Sequence, residues 1–307
     1  MEVNGLNSDL PNVMNYLNSL CYNNLLPLST EEYIVEKLKL VTRYHPEKPR
    51  KKDAEKDVGL NLGVKALGKI PGKTKEKLED LQKRANELYN ARIETYELDV
   101  QRYEAEYQQK RKERETTLRN NVLALSKGSH VAASKYFGYA LARDDYSVDA
   151  KHRFFPDYSE LSFNHLDGSI QLSYRIPNTN EIPIIAKYEY NEKKDSIDPC
   201  FYDSKTSAKL RLQIAESVLL RAAAVIFLSD EFDLVKSISI TGFIRYYDSA
   251  FGNDQSKNVI RITITKDHFG KINIEKVSPY DLFDRGLKAK ISSGLYAKEP
   301  YEISDID

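Results

Sequence analysis

The stretch Lys209–Asp230, KLRLQIAESVLLRAAAVIFLSD, decides the fold. It forms most of a helix predicted over Thr206–Ser229, the longest apolar-rich helical pattern in the chain. Leu210, Ile214, Val218, Leu219, Ala222, Val225 and Ile226 recur at the three-and-four spacing of one helix face, and Ala215 and Ala223 supply close-packing positions. Ser204 or Thr206 is placed to cap the first turn, because a side-chain oxygen there accepts orphan amide protons. The stripe is widest at Val225–Leu228, which predicts deep burial at that end. Arg211, Glu216 and Arg221 read as the solvent or sheet-edge face. β-type sequence precedes the helix (Ser169–Tyr190) and follows it (Ser237–Thr265), so one helix packed on one sheet is expected.

Working outward, Leu161–Phe163, Asp167-Gly168 and Ser169–Ile176 form a hairpin signal, since Asp-Gly tolerates the positive φ angles of a tight turn. Ile182–Tyr190 reads as a strand and Asn191–Asp203 as a loop. Beyond the helix, Ser237–Tyr247 and Asn258–Thr265 alternate as strands, joined by the polar loop Asp248–Lys257. A shorter strand, Lys271–Val277, a helix, Pro279–Leu287, and an extended acidic tail, Ile291–Asp307, complete this half.

Upstream, Asp9 to Val41 reads as two short helices. The second opens on Ser29-Thr-Glu-Glu32, a capping-box pattern. Arg43–Lys77 carries eleven Lys or Arg against five Asp or Glu, with three prolines, and reads as a basic linker with a short amphipathic piece around Val58–Leu67. Lys73–Ser126 contains no proline or glycine, and as one helix it would extend ~80 Å. Its seam is Leu78, Leu81, Ala85, Tyr89, Ile93, Tyr96, Val100, Tyr103 and Tyr107, a heptad pattern with one stutter that then turns polar at Arg111 and Arg114. That is a coiled-coil signature, satisfied by another protomer or by the N-terminal helices. Ser129 then caps a short helix through Tyr139 and Leu141. The predicted class is α+β: N-terminal helices and a long coiled-coil helix, followed by a mixed β-sheet domain packed on a central helix. The expected segments are 1–42 (helical), 43–72 (basic linker), 73–126 (coiled-coil helix) and 127–307 (α/β domain with the acidic tail).

The chain has 307 residues, enough for one large or two ordinary domains. Its 46 basic residues balance 46 acidic ones, so any attraction to a polyanion must be local. Cys21 and Cys200 lie far apart without metal-ligand spacing, which argues against a disulfide framework and fits a reducing, cytoplasmic location. The start carries no secretory pattern. Val218–Leu228 is too short for a membrane span and carries Arg221, so no membrane association is expected.

Sequence signals for chemistry are weak. Gly63–Lys69 and Gly68–Thr74 are near misses to a phosphate-binding loop: the first ends in Ile70 where a hydroxyl is required, and the second is one residue short. His45-Pro46-Glu47 differs from the His-Pro-Asp of chaperone J-domains at its acidic residue. Asp167, Glu181, Lys187 and Glu189 lie near strands suited to a metal-dependent nuclease, but no acid-x-Lys triplet sits on Ile182–Tyr190. The histidines show no paired spacing, so no metal site, catalytic residue or cofactor is expected. Arg43, Arg50, Lys51, Lys52, Lys65, Lys69 and Lys73 are candidate nucleic-acid contacts, because clustered cations release phosphate counterions regardless of sequence. Arg43, Arg211, Arg221, Arg245 and Arg261 could also line a phosphate-binding surface if folding brings them together.

From Tyr136–Ala142 through Phe154-Phe-Pro156, the hairpin Leu161–Ile176, Ile182–Tyr190, the helix Ala208–Asp230, Ile238–Ile244, Val259–Thr265, Val277–Tyr280 and Ser292 to Pro300-Tyr301, the order of features resembles one region of bacterial Mrr-like restriction-system proteins. That region lies between a charged coiled coil and a C-terminal Mrr-type nuclease. Relatives tend to carry Asn-Gly where Thr241-Gly242 stands here. The nuclease would begin just past Tyr301, and its acidic residue and Gln-x-Lys-type strand are not in this sequence, so no catalytic residue carries over. The resemblance implies a non-catalytic recognition, regulatory or assembly module of a restriction or anti-phage defence system. Such a module would form a homo-oligomer through the coiled coil, could bind nucleic acid, and would act with a separate nuclease or effector or as a piece of a longer nuclease. The alternatives are a divergent metal-dependent nuclease and a protein-only structural adaptor. If the domain binds a partner, the far face of the sheet is the expected platform.

Overall fold

The computed structural model describes residues 2–22, 25–60, 73–144, 157–182 and 184–306. Within these, the helices are α1 (Glu2–Asn18), α2 (Thr30–Lys39), α3 (Lys51–Asp57), α4 (Lys73–Ser126), α5 (His130–Arg143), α6 (Ser204–Ser229), α7 (Lys266–Phe269) and α8 (Pro279–Asp281), the last running into a π-helical turn at Leu282–Gly286. The strands are β1 (Tyr158–Asn164), β2 (Ser169–Arg175), β3 (Ile185–Asn191), β4 (Ser196–Phe201), β5 (Ser237–Asp248), β6 (Asn253–Thr265) and β7 (Lys290–Ile291). The class is the expected α+β. The chain divides into two compact units, Met1–Tyr33 with Asn121–Asp307, and Ile34–Asn120.

In the first unit, α6 is the core. Asp203 caps it, rather than Ser204 or Thr206: its carboxylate accepts from Thr206 N at 3.0 Å and from Thr206 Oγ1 at 2.6 Å. Its length and apolarity would suffice to cross a membrane, but 83% of its most apolar window is buried inside the protein. The sheet runs β1-β2-β5-β6-β7, with β2 and β5 parallel and the other pairs antiparallel. A parallel pair needs a crossover, and α6 lies on the chain path between β2 and β5. Cross-strand rows Phe163–Ile170–Ile238–Ile264 and Leu172–Ile240–Ile262 supply the buried face. Gly242 sits where helix and sheet come closest: a Cβ there would stand 3.0 Å from Leu219 Cδ1 and 3.4 Å from Ile260 Cβ.

α6 is buried on every side from Ser217 to Phe227, which one apolar stripe does not foretell, whereas Leu228, at the end expected to lie deepest, is 50% exposed. Arg221 and Glu216, expected on an exposed face, are 0% and 1% exposed. Arg221 is accommodated because its planar fork is filled. Nε and one terminal nitrogen each donate to the Asp144 carboxylate at 2.6 Å, and the other nitrogen donates to Leu20 O at 3.0 Å. The pair joins α6 to the residue ending α5 and to the turn after α1. Tyr136 of α5 reinforces that junction, its hydroxyl donating to Leu28 O and to Ser229 O. The predicted capping box forms reciprocally: Ser29 N donates to Glu32 Oε2, and Glu32 N to Ser29 Oγ, both at 3.1 Å.

Three expectations change. Ile185–Asn191 is a strand but lies outside the main sheet; it pairs with Ser196–Phe201, which was read as loop. Asn7 of α1 docks on it, accepting from Tyr188 N at 2.7 Å and donating to Tyr188 O at 3.1 Å. Lys271–Val277 is a succession of turns, because Asn273 folds the backbone: its carbonyl accepts from Lys276 N and Val277 N and its side chain from Glu275 N. The tail is not simply extended, since Ile303 and Ile306 are buried and Ser292 N and Ile306 N donate to Val259 O and Asn258 O.

In the second unit, the stretch expected as linker folds back along α4 in antiparallel order. Lys37 lies near Arg114, Arg43 reaches Glu104 at 2.5 Å, Tyr44 meets Tyr103 edge-on at 4.6 Å, and Asp57 pairs with Arg92 at 2.6 Å. The expected amphipathic piece around Val58–Leu67 falls largely on residues 61–67, outside the described ones; immediately before it, Lys51–Asp57 forms α3.

The Arg221–Asp144 pair makes a stability prediction. Asp144→Ala strands a guanidinium in a dry site and should cost about 3–5 kcal/mol, read from urea midpoints. Replacing both partners together, Asp144→Leu with Arg221→Met, should recover most of that loss. Equal destabilisation by the single and double variants would contradict this account.

Candidate functional site: the open face of the sheet

Side chains alternate across a sheet, so the rows between the buried ones face away from α6. Register fixes their composition. One row is Glu160–Ser173–Thr241–Arg261–Lys290, the next is Ser162–Gln171–Ser239–Thr263, and the third is Asn164–Ser169–Ser237–Thr265. None of these residues is buried, and none is apolar. Thr263 Oγ1 donates to Ser239 Oγ at 3.3 Å, a cross-strand hydroxyl pair. Hydroxyls and a side-chain amide thus cover the centre, with Arg261 and Lys290 at one edge and Glu160 at the other. Such groups can donate to phosphate oxygens or accept from a partner's backbone.

The other arginines of the suggested phosphate surface do not join Arg261. Arg221 is sealed in the core, Arg211 is half-buried on α6, Arg245 lies 3.4 Å from Asp157, and Arg43 belongs to the second unit. Among the predicted nucleic-acid contacts, Arg43 is held by Glu104 and stands over the Tyr107 ring, whereas Arg50, Lys51 and Lys52 are exposed and form no ion pair among the described residues. Lys65 and Lys69 lie outside the described residues, and Lys73 is the first residue of α4. Of the predicted oligomerisation seam, Ala85 is buried. Leu78, Leu81, Tyr89, Ile93, Tyr96, Tyr103 and Tyr107 are half-buried, and Val100 is exposed. Tyr96 and Tyr103 meet the chain's own Pro46–Pro49 and Tyr44.

The four residues considered for a nuclease do not assemble. Asp167 sits in the β1–β2 turn, its carboxylate accepting from Ser169 N at 2.9 Å. Glu181 pairs with Arg175 at the opposite end of β2, seven residues or ~23 Å away. Lys187 and Glu189 are exposed on the separate β3–β4 ribbon and pair with each other. Among the described residues, no group of three or more His, Cys, Asp or Glu side chains could hold a metal ion.

One buried acid went unrecognised. Among the described residues Glu216 Oε2 has no hydrogen-bond partner, and burial, with the charge of Asp284 adding, pushes its carboxyl up to about 8. Nearby, the buried Tyr296 hydroxyl donates to Pro177 O at 2.6 Å. Nothing in a one-dimensional pattern separates Glu216 from a solvated helix acid; the signal is that its neighbours Ala215 and Ser217 are buried too.

The titration of Glu216 has a definite sign. Unfolded, the group ionises near its ordinary 4.5, while folded it stays protonated to about 8. Its contribution is therefore fully present below pH 4.5, declines as pH rises to about 8, and is constant above. Glu216→Gln should remove that slope. In urea melts the variant should match the parent near pH 4 and exceed it at pH 8–9 by on the order of 3 kcal/mol; parallel pH profiles would refute the assignment. No family model matches the chain, and no curated protein or solved structure matches it either.

Proposed function

We propose that this chain is a non-catalytic recognition module of a bacterial restriction or anti-phage defence system, working in the cytoplasm. Nucleic acid is the recognised partner, and α4 is the element of self-assembly. The observation that carries the reading is the open sheet face. Three cross-strand rows present hydroxyl, amide and guanidinium groups without one apolar or buried residue, while the opposite face is packed on α6. Such a platform suits hydrogen bonding to phosphate and sugar oxygens, the larger share of contacts in most protein–nucleic-acid interfaces. The order of features from Tyr136 to Tyr301, similar to the region preceding the nuclease in Mrr-like restriction proteins, supports the defence context, and a separate nuclease or effector would supply cleavage. The half-buried Leu78, Leu81 and Tyr89 offer the seam for a second copy.

Two measurements test the reading. In fluorescence anisotropy the chain should bind DNA or RNA in a salt-sensitive way, and Gln171→Glu with Arg261→Ala and Thr263→Glu should weaken binding at least ~10-fold. In light scattering it should exceed monomer mass, and Leu78→Glu with Leu81→Glu should return it to monomer. A strict monomer that binds neither nucleic acid at low salt overturns the proposal.

A further inference from the structure

Several cations of α4 are paired with acids at short range. Arg84 pairs with Asp80 at 3.0 Å, Arg92 with Asp57 at 2.6 Å, Arg102 with Asp99 at 2.8 Å and Arg119 with Glu115 at 2.9 Å. Lys77 and Lys83 are exposed and form no ion pair among the described residues, but they stand six residues apart; the stretch Gln108–Thr117, QQKRKERETT, instead gathers such cations in one run. Lys110, Arg111, Lys112 and Arg114 are all exposed and form no ion pair among the described residues. Glu113, the acid within the run, accepts instead from the Gln109 amide at 2.9 Å. Arg111 and Arg114 continue the seam, four residues past Tyr107 and then three more, so one heptad of the seam face is cationic. Lys37 of α2 adds a further cation beside Arg114; burial, and then the Arg114 charge, hold its ammonium below the usual lysine range.

Gathering like charges costs energy unless counterions or a polyanion offset it. We propose that the α4 segment Lys110–Arg114, with Lys37 beside it, binds the phosphate backbone of a nucleic-acid duplex. This inference rests on reading the chain as a nucleic-acid-recognising module and places a second contact surface in it, in the unit that lacks the sheet. Lys110 and Arg114 stand one turn apart, ~6 Å along the helix. A duplex presents one charge per ~1.7 Å of axis, so this single turn spans three to four phosphates. The chemistry favours a duplex over two other polyanions. A membrane-surface helix needs an apolar face to bury, and Gln108–Thr117 has no apolar residue. Single strands are held by aromatic stacking, and the same stretch has no aromatic ring.

The test uses the full chain with labelled 30-base-pair DNA and RNA duplexes in anisotropy titrations from ~50 to ~200 mM salt. Lys110→Ala, Arg111→Ala and Arg114→Ala together should lower affinity ~10-fold or more for whichever duplex binds. The slope of log affinity against log salt should become shallower by about 2.7 for DNA. A control with the same change in net charge, Lys75→Ala, Arg84→Ala and Arg102→Ala, removes cations already paired with acids and should stay within ~3-fold. Circular dichroism should show both triple variants as helical as the parent. Equal losses in the two triples, or parental affinity in the first, overturn the α4 contact. If binding then disappears only in the sheet-face variant, the recognition reading stands without it. Failure of the parent chain to bind either duplex sinks both, and binding to phosphatidylserine vesicles alone overturns the duplex in favour of a membrane.

Discussion

The fold of the first unit depends on a buried charge. Arg221 lies in the most apolar part of α6, with Ala222, Ala223, Ala224 and Val225 following it, all of them sealed from solvent. A guanidinium there is tolerable only when its donors are occupied, because desolvating an unpaired ion costs several kcal/mol. The Asp144 carboxylate and the Leu20 carbonyl meet that demand together. They come from the end of α5 and from the turn after α1, so α6 reaches its native environment only when segments 201 and 77 residues away along the chain are in place. The first 33 residues therefore fold with the sheet domain. The Tyr136 hydroxyl and Ser229 add a second clamp about two turns further along α6, with Leu28 N donating to Ser229 Oγ at 2.8 Å.

Once α6 is held, the sheet has only one face left to offer. Leu219 presses on Gly242 at a separation that leaves no room for a larger residue, and the isoleucines of β2, β5 and β6 complete the buried layer. Strand alternation then directs every serine and threonine in the intervening rows outward. An open face rich in short hydroxyl side chains has little apolar area to drive association; what it offers instead is hydrogen-bonding groups and the cations at its Arg261–Lys290 edge. The β3–β4 ribbon stays off this face. Asn7 engages β3 through both the oxygen and the nitrogen of its side-chain amide, and on the chain path the ribbon precedes α6 between the parallel strands.

Local chemistry was legible where it acts over a few residues. The Ser29–Glu32 capping box, the Asp167-Gly168 turn, the Ser129 cap and the unbroken run Lys73–Ser126 each state their structure within a short window. Errors arose where tertiary contacts decide. A stripe of apolar residues predicted one buried face of α6, but α1, α5, β5 and α8 surround it, and only their arrangement reveals that Arg221 and Glu216 face inward. Ser196–Phe201 was hidden because Pro199 and a turn with positive φ at Asp195 weaken the strand signal; pairing with β3 overrides both. Lys271–Val277 failed the other way: alternation suggested a strand, and the side chain and carbonyl of Asn273 impose turns instead. The open face was legible as a face, but its composition depended on register, which pairing alone supplies.

The second unit shows how a charged helix can be held without much core. Most of α4 is exposed, so its order rests on i,i+4 pairs worth tenths of a kcal/mol each and on the strip that residues 37–57 lay along it. That strip uses tyrosine edges and ion pairs at Tyr103 and Arg92 where a zipper would use leucines. It runs along the seam from Arg92 past Tyr107 to Arg114, where Lys37 stands, and the stretches at its two ends differ in chemistry. Toward the start, Leu78, Leu81 and Tyr89 keep an apolar character that a second helix could bury. Toward the end, Arg111 and Arg114 make the same helical face repel any cationic partner and favour an anionic one. The seam thus changes chemistry along its length, from aliphatic and tyrosine side chains up to Tyr107 to the cations of Lys110–Arg114, before Leu118 and Val122 restore apolar residues.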